Sequence, residues 1–345
     1  MGQRTRISLF KSAVSFVTVP GASRPFPRFL TYAFAMRCVL GFDGGGTKTD
    51  CVLMDEHGLV RARSQSGPSN PSRIGFGAAF GAVRDSAQQA LHLAGAGNRD
   101  VAAICAGLAG TGQSADAKKM RALLVSEYPG IPLQICTDLD LALSAVQKGP
   151  AMVLIAGTGS AAIGRNAAEQ IARVGGHGPM VSDEGSAYDI GRRAVMTALK
   201  EYDRTGADST LGLRILMEMG SRKWPEIRKR IQSAPDEVFP RLFSVTAALA
   251  DSGDSSAQGI LRSAAYALAA LATSLAERLQ IAEEPFLLVK SGGMVGKCKY
   301  FDAQLQERLR VTLPHAQPAA LEMPPAEAGA RLALESLRSA ATARK

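Results

Sequence analysis

Asp43-Gly44-Gly45-Gly46-Thr47-Lys48-Thr49 sets three glycines between a carboxylate and a hydroxyl-plus-amine pair. Glycines let the backbone turn tightly and present bare N–H groups to an anion, forming a nest for phosphate oxygens. Thr47 adds a hydroxyl to that nest and Lys48 a positive charge. Asp43, at the end of a strand, has the donor type that holds Mg2+ directly or through water. A glycine-rich hairpin with no ligand is the competing reading of this loop taken alone. Gly157-Thr158-Gly159-Ser160 repeats the same chemistry in the second half of the chain. Two such loops facing each other across a cleft would grip a polyphosphate from both sides, and the ligand-free reading weakens accordingly.

Two further segments carry carboxylates where a ligand could meet them. Gly175-Gly176-His177-Gly178-Pro179-Met180-Val181-Ser182-Asp183-Glu184-Gly185-Ser186-Ala187-Tyr188 packs small residues, a histidine and two acids into an irregular loop before a helix. Asp183 reads either as the N-cap of a helix starting near Gly185 or as a carboxylate aimed at ligand hydroxyls. His177 reads as a polar contact, because His57, His92 and His315 show no metal-ligand spacing around it. Thr137-Asp138-Leu139-Asp140 follows a parallel strand, and ligands of open α/β sheets bind outside the carboxyl ends of strands. A carboxylate there can accept a hydroxyl proton as that hydroxyl attacks a phosphoryl group. The alternative for Asp138 is again a helix N-cap.

Other phosphate-binding loops fail on their end positions. Ser291 to Cys298 nearly matches G-x-x-x-x-G-K-[ST], but its first residue is Ser291 and its last Cys298. A dinucleotide G-x-G-x-x-G fails at Gly157, where the third glycine position is Ala162 and the following segment reads as strand. Hydride transfer is therefore not expected.

The elements that must position these residues follow a duplicated plan. Strands are expected at Val39–Phe42, Asp50–Met54 and from Leu59, giving an antiparallel start. A helix over about Phe76–Leu93, a strand Val101–Leu108, a helix Ala115–Ser126, a strand Leu133–Cys136 and a helix Leu139–Gln147 then alternate, which implies parallel pairing. From Ala151 the opening recurs: strands at Met152–Ala156, Ala161–Arg165 and Gln170–Val174, then mainly helix to about Gln280, a strand at Phe286–Val289 and a last helix over about Ala326–Arg338. Two halves that each begin with a three-stranded meander and a Gly/Thr turn are more informative than any single motif.

Length and charge bound the rest. With 345 residues, more than one hydrophobic core is expected. At 46% hydrophobic and 21% charged the chain has an ordinary globular composition. No apolar run of about 20 residues is apparent, which argues against a membrane-embedded transporter. Five widely spaced cysteines with no C-x-x-C pair argue for a reducing, cytoplasmic setting and against a disulfide framework or zinc ribbon. The net charge of +9 is concentrated in residues 1–37, which hold six basic residues and no acid; taking these from the 40 basic residues leaves 34 against 31 acidic, a net of +3. A nucleic-acid groove is not indicated. This leader has three competing readings: a misassigned start preceding Met36, a disordered basic tail, or a targeting signal.

These segments, in this order, resemble the N-acetylglucosamine kinase branch of the BadF/BadG/BcrA/BcrD ATPase family, within the actin-like, sugar-kinase and Hsp70 superfamily. The resemblance runs from about Val39 to Leu337 and is carried by Phe42 to Thr49, Gly67-Pro68-Ser69-Asn70, Thr137-Asp138, Gly157 to Ser160 and Asp183 to Tyr188. It implies an α/β fold of two ribonuclease-H-like lobes, each a β-meander plus βαβ, with the active site in the inter-lobe cleft. The lobes would be residues 38–148 and 149–345, with the last helix, about 326–340, packing back on the first. The implied reaction is ATP- and Mg2+-dependent phosphorylation of the 6-hydroxyl of N-acetylglucosamine. Carried over by position, Asp138 is the base, and Asn70, Gly176, His177, Gly178 and Asp183 are sugar contacts. Gly44, Gly45, Thr47, Lys48, Thr158 and Gly159 would meet the ATP phosphates, Gly292 and Gly293 the adenosine, and Asp43 the magnesium. The implied partner is a small amino sugar, with neither nucleic acid nor membrane, and relatives of this kind are commonly homodimers. His177 stands where relatives often carry an aromatic residue, and Ser182 where they carry Gly, both in the loop that should read the sugar. Glucosamine, a muramic acid derivative or another hexose therefore stay open as acceptors. The rival reading is an ATPase that activates a partner enzyme through an iron–sulfur cluster between subunits, for which these cysteines offer no evident pair. A sugar-responsive regulator would need a DNA-binding module, and residues 1–37 contain no helix-turn-helix pattern.

Overall fold

Strand-favouring apolar residues fill Cys38–Gly44 (β1) and Thr49–Asp55 (β2), and the glycine-rich segment between them closes a hairpin that sets Leu40 opposite Leu53 and Asp43 opposite Asp50. A computed structural model of the chain describes residues 37–112 and 114–342. The readings of the leader fall almost wholly on residues 1–36 and lie outside the described residues. Val60–Ser66 (β3) pairs antiparallel with β2. The short helix Pro71–Ile74 (α1) and the longer Phe76–Ala94 (α2) lead to Val101–Leu108 (β4), which lies parallel to β1. Ser114–Glu127 (α3) returns the chain to Leu133–Cys136 (β5), parallel to β4. The first sheet thus runs β3-β2-β1-β4-β5.

Asp138–Ser144 (α4) connects to a second copy of this plan. Ala151–Ala156 (β6), Ser160–Arg165 (β7) and Ile171–Gly175 (β8) form an antiparallel meander. Five helices follow: Ala187–Thr205 (α5), Thr210–Glu218 (α6), Trp224–Ser233 (α7), Pro235–Asp251 (α8) and Ser255–Leu279 (α9). Phe286–Ser291 (β9) then joins β6 in parallel, and Lys299–Thr312 (α10) leads to Ala316–Ala319 (β10), parallel to β9. The second sheet runs β10-β9-β6-β7-β8, which reproduces the order of the first element for element. The fold is therefore the α/β duplication of a meander plus βαβ expected from the sequence.

One expectation needs correcting. Helix α9 is 25 residues long with a mean hydropathy of 1.3 over its best window, so by length and composition it could cross a bilayer. Its apolarity has another cause: Leu261, Ala264, Ala265, Leu268, Ala269 and Ala272 are fully buried in the core shared with α5, α8, α10 and the second sheet. A helix packed on several sides is apolar on several sides.

Pro325–Thr342 (α11), the last helix, lies against the first sheet rather than the second. Its face of small residues, Ala326, Ala330 and Ala333, packs with Val39, Ala103 and Cys105. The approach is close enough that Gly41 is required: a Cβ built there would stand 2.1 Å from the Ala330 amide nitrogen and 2.2 Å from the Ala326 carbonyl oxygen. Both neighbours are backbone and cannot yield without moving the helix. Gly41→Ala is expected to destabilise the fold by about 1–3 kcal/mol, the usual cost of overpacking, and to lower Tm by several degrees. An unchanged thermal melt would contradict this packing.

Helix α4 bridges the two sheets. Leu141 faces the first, with Val39 and Cys105, while Leu139, Ala142, Leu143 and Val146 pack with Val153, Ile163 and Val289 of the second. Beyond its C-terminus, the buried Arg165 of β7 donates to the carbonyls of Leu143, Val146, Gln147 and Gly149. A cation at the negative end of a helix is favourable, and here it also satisfies carbonyls that a helix end leaves unpaired.

Candidate functional site

The N-terminal end of α4 opens into a cavity of about 770 Å3 between the two sheets' loops. Thr137 caps the helix: its side chain accepts from the Asp140 amide, and Asp140 accepts from the Thr137 amide at 2.9 Å, a reciprocal capping box. The N-cap alternative for Asp138 is thereby set aside, because its neighbours do the capping. Asp138 sits at the first helical position with its carboxylate on the cavity wall. Burial raises its pKa, with the opposing pull of the amides of Leu139 and Asp138 and of the Arg173 guanidinium insufficient to cancel it.

Asp43 ends β1 next to this carboxylate. Burial, then the like charges of Asp138 and Asp50, push its pKa up to about 7. Asp43 itself is not among the residues that line the cavity, but it is close enough to Asp138 to feel its charge. Asp43 and Asp138 are two desolvated carboxylates, the hard oxygen donors that a divalent ion takes. Among the described residues no group of three or more His, Cys, Asp or Glu forms a metal cluster.

The two Gly/Thr loops meet across the cavity. Thr47 Oγ1 and Thr158 Oγ1 are 3.4 Å apart, although 111 residues separate them in sequence. In the first loop the Gly45 amide donates to the Lys48 carbonyl and the Ser69 amide to the Gly45 carbonyl, which leaves Gly46 and Thr47 at the tip. Gly46 is on the cavity wall. Gly44 is buried at the end of β1 against Ser69 and Leu108, and Lys48 pairs with Asp50 at 2.8 Å. In the second loop the carbonyls of Gly157 and Thr158 accept from the amides of Ala187 and Tyr188 at the start of α5, so the helix holds the loop from behind. Thr158 and Gly159 line the cavity; Gly292 and Gly293 lie beside Gly157, where the Met294 amide donates to the Ala156 carbonyl.

Asn70, Gly176, His177, Gly178 and Asp183 line the same cavity, Asp183 lying against Gly159 of the second loop. Asn70 caps α1, its Oδ1 accepting from the Ser72 amide at 3.0 Å, so its NH2 group is what remains to donate into the cavity. Asp183 is not the cap that one reading of the sequence gave it. Ser186 caps α5 by accepting from the Asp189 amide, and the helix starts at Ala187. Asp183 instead holds a left-handed backbone with φ of 65° and is only 7% exposed. Burial raises its pKa, against the pull of the backbone amides of Ser160 and Gly178 and of Arg73. Four other charged groups on the wall, Arg73, Asp116, Arg173 and Asp236, carry no motif in the sequence. Arg173 donates to the Gly176 carbonyl at 3.1 Å and faces Asp138; no motif marks it, because only the pairing of β7 with β8 carries it there.

A duplicated α/β architecture with a glycine–threonine loop from each half, and a carboxylate at a strand-to-helix junction between them, defines the two-lobed class of ATPases and sugar kinases. The model of the BadF/BadG/BcrA/BcrD ATPase family matches residues 40–320, and the chain belongs to that family. Among curated relatives, the N-acetylmuramic acid/N-acetylglucosamine kinase of Clostridium acetobutylicum is 28% identical over 81% of this chain and 92% of its own length. The N-acetyl-D-glucosamine kinase of Dictyostelium discoideum is 30% identical over 86% of this chain and 98% of its own. Among solved structures, a candidate N-acetylglucosamine kinase from Chromobacterium violaceum superposes with a TM-score of 0.70 at 25% identity, covering 87% of this chain and 99% of that one.

Proposed function

We propose that the protein is an ATP-dependent amino-sugar kinase that transfers the γ-phosphoryl group to the 6-hydroxyl of N-acetylglucosamine. The observation that carries this reading is the shared cavity: a desolvated carboxylate, the tips of two facing Gly/Thr loops and a wall of hydroxyl-reading groups open onto one space. Family membership and the named relatives supply the substrate class. Dependence on ATP supports a cytoplasmic setting, and a homodimer is the expected assembly.

In this reading the amides and hydroxyls around Gly46, Thr47, Thr158 and Gly159 bind the phosphates and neutralise charge as it grows on the transferred group. Asp138 orients the acceptor hydroxyl and receives its proton. Asn70 and Asp183 fix the sugar ring, with Gly176, His177 and Gly178 forming the loop around it. Asp43 is the residue that would hold Mg2+, directly or through water, and the ion when bound would supply charge neutralisation to the phosphates. Lobes of residues 38–148 and 149–345 close about α4, whose N-terminal end carries Asp138, and closure excludes water that would otherwise take the phosphoryl group.

The test is ADP release measured with N-acetylglucosamine, glucosamine, N-acetylmuramic acid and glucose, with the product analysed for its phosphate position. ADP release is expected to depend on the acceptor and to yield a 6-phosphate, and a 6-deoxy acceptor should be inert. ATP hydrolysis equally fast with no sugar would overturn the kinase reading in favour of a partner-activating ATPase.

A further inference from the structure

We propose that Arg73 is a further catalytic residue, a guanidinium that exchanges Asp236 for the phosphoryl group in flight between ATP and the acceptor. The inference rests on the kinase reading and adds to it a group that stands outside every motif discussed above. Arg73 lies on α1, directly behind the first phosphate hairpin. A Cβ built on Gly46 would stand 2.7 Å from Arg73 Nη1, so the guanidinium lies against the loop tip where that glycine leaves room. It lines the same cavity as Asp138, Thr158 and Asp183, and its charge is felt by Asp183 and Tyr188 of the other half.

Its present contacts are loose. Nη2 is 3.7 Å from the Asp236 carboxylate and 3.4 Å from the Asp236 carbonyl, both near the outer limit for such contacts. A guanidinium has five N–H donors in a planar fork that fits two oxygens of a phosphoryl group, so most of its capacity is unspent here. The side chain is 20% exposed, which strengthens its field relative to a fully solvated arginine. Arg173, the other guanidinium on the wall, is committed to the Gly176 carbonyl and to the side facing Asp138. As the bond between the γ-phosphorus and the bridging oxygen of ADP breaks, the bond to the sugar oxygen forms and the hydroxyl proton passes to Asp138. Charge is then spread over three equatorial oxygens, and Arg73 donates to two of them. Asp236 opens α8 in the second half of the chain, so exchanging it for phosphate couples Arg73 to movement between the halves.

The experiment compares the full chain with Arg73→Gln, Arg73→Lys and Asp236→Asn. Two readouts are needed: steady-state kinetics with N-acetylglucosamine, and equilibrium binding of ADP with Mg2+ in the presence and absence of aluminium fluoride, which mimics the transferred group. Arg73→Gln is expected to lower kcat roughly 10²- to 10³-fold, the range for losing one donor to developing charge, with either KM changed less than about threefold. Its ADP affinity should stay as in the parent while the tightening by aluminium fluoride is lost. Arg73→Lys should recover part of both, since an ammonium is a point charge without the fork. Asp236→Asn releases Arg73 and should tighten the ADP–fluoride complex. Arg73→Gln with undiminished kcat and tightening would overturn the proposal, as would Asp236→Asn reproducing the Arg73→Gln defects, because the pair would then be a structural latch. A parent protein that phosphorylates no amino sugar sinks the kinase reading instead, and Arg73 is then judged on the fluoride arm alone.

Discussion

Asp138→Asn is expected to cut turnover about 10²- to 10⁴-fold while ATP affinity changes less than about threefold. Asparagine keeps the shape of the side chain and removes only its ability to take a proton. The mount of this residue is not at risk, since the cap of α4 is made by Thr137 and Asp140 and its far end is held by Arg165. The pH dependence carries the same signature. Burial raises Asp138 above the ordinary carboxylate range, and burial with the charge of Asp138 does the same to Asp43. The base must be unprotonated, and in the parent kcat/KM should therefore fall on acidification at a pH above the ordinary carboxylate range. In the variant that limb should collapse. Stability moves the other way: a carboxylate whose folded pKa is raised favours the folded state below its unfolded pKa and opposes it above its folded one. Free of ligand, the parent should lose stability as pH rises from about 4 to 7, and Asp138→Asn should melt no lower than the parent at pH 8. Turnover within about fivefold of the parent in that variant would remove Asp138 from the role of base.

What the sequence made legible followed from local rules, and what it hid was tertiary. The interior of β4 and of β5 is apolar and bounded by polar or turn residues, so Val101–Leu108 and Leu133–Cys136 could be placed to the residue. The caps near Asp138 and Asp183 are marked by their neighbours: Thr137 stands three residues before Asp140, and Ser186 three before Asp189, the spacing of a capping pair. β10 escaped notice because Pro318 lies inside it, a residue tolerated there because β10 is an edge strand. Arg73 and Arg173 could not have been found by pattern. One lies on a four-residue helix and the other on a short strand, and each reaches the cavity only through the way its element is placed on a neighbour. The duplication was the strongest signal of all, because a sheet order repeated in both halves constrains where the two loops must end up facing.

Asp183→Asn should lower kcat/KM for the sugar by about 10²-fold or more, chiefly through KM, with ATP affinity nearly unchanged. The carboxylate stands between two loops, drawn by the backbone amides of Ser160 in the second Gly/Thr loop and of Gly178 in the Gly176–Gly178 segment. Hydrogen bonds to a charged group are worth about 1.5–3 kcal/mol each, so losing one such bond to a sugar hydroxyl costs roughly 10- to 10²-fold, and loosening the loop adds to that. An asparagine can offer one oxygen to one amide, but its NH2 group then faces the other N–H and pushes that loop away. The backbone is a separate matter: at φ of 65°, Asn is tolerated about as well as Asp, whereas Ala carries a steric cost of about 1–2 kcal/mol. Asp183→Asn should therefore melt close to the parent and Asp183→Ala clearly below it, while both lose sugar affinity. That difference separates recognition from folding. A sugar KM left where it was by Asp183→Asn would show that the carboxylate only ties the loops together and that the hydroxyls are read elsewhere on the wall.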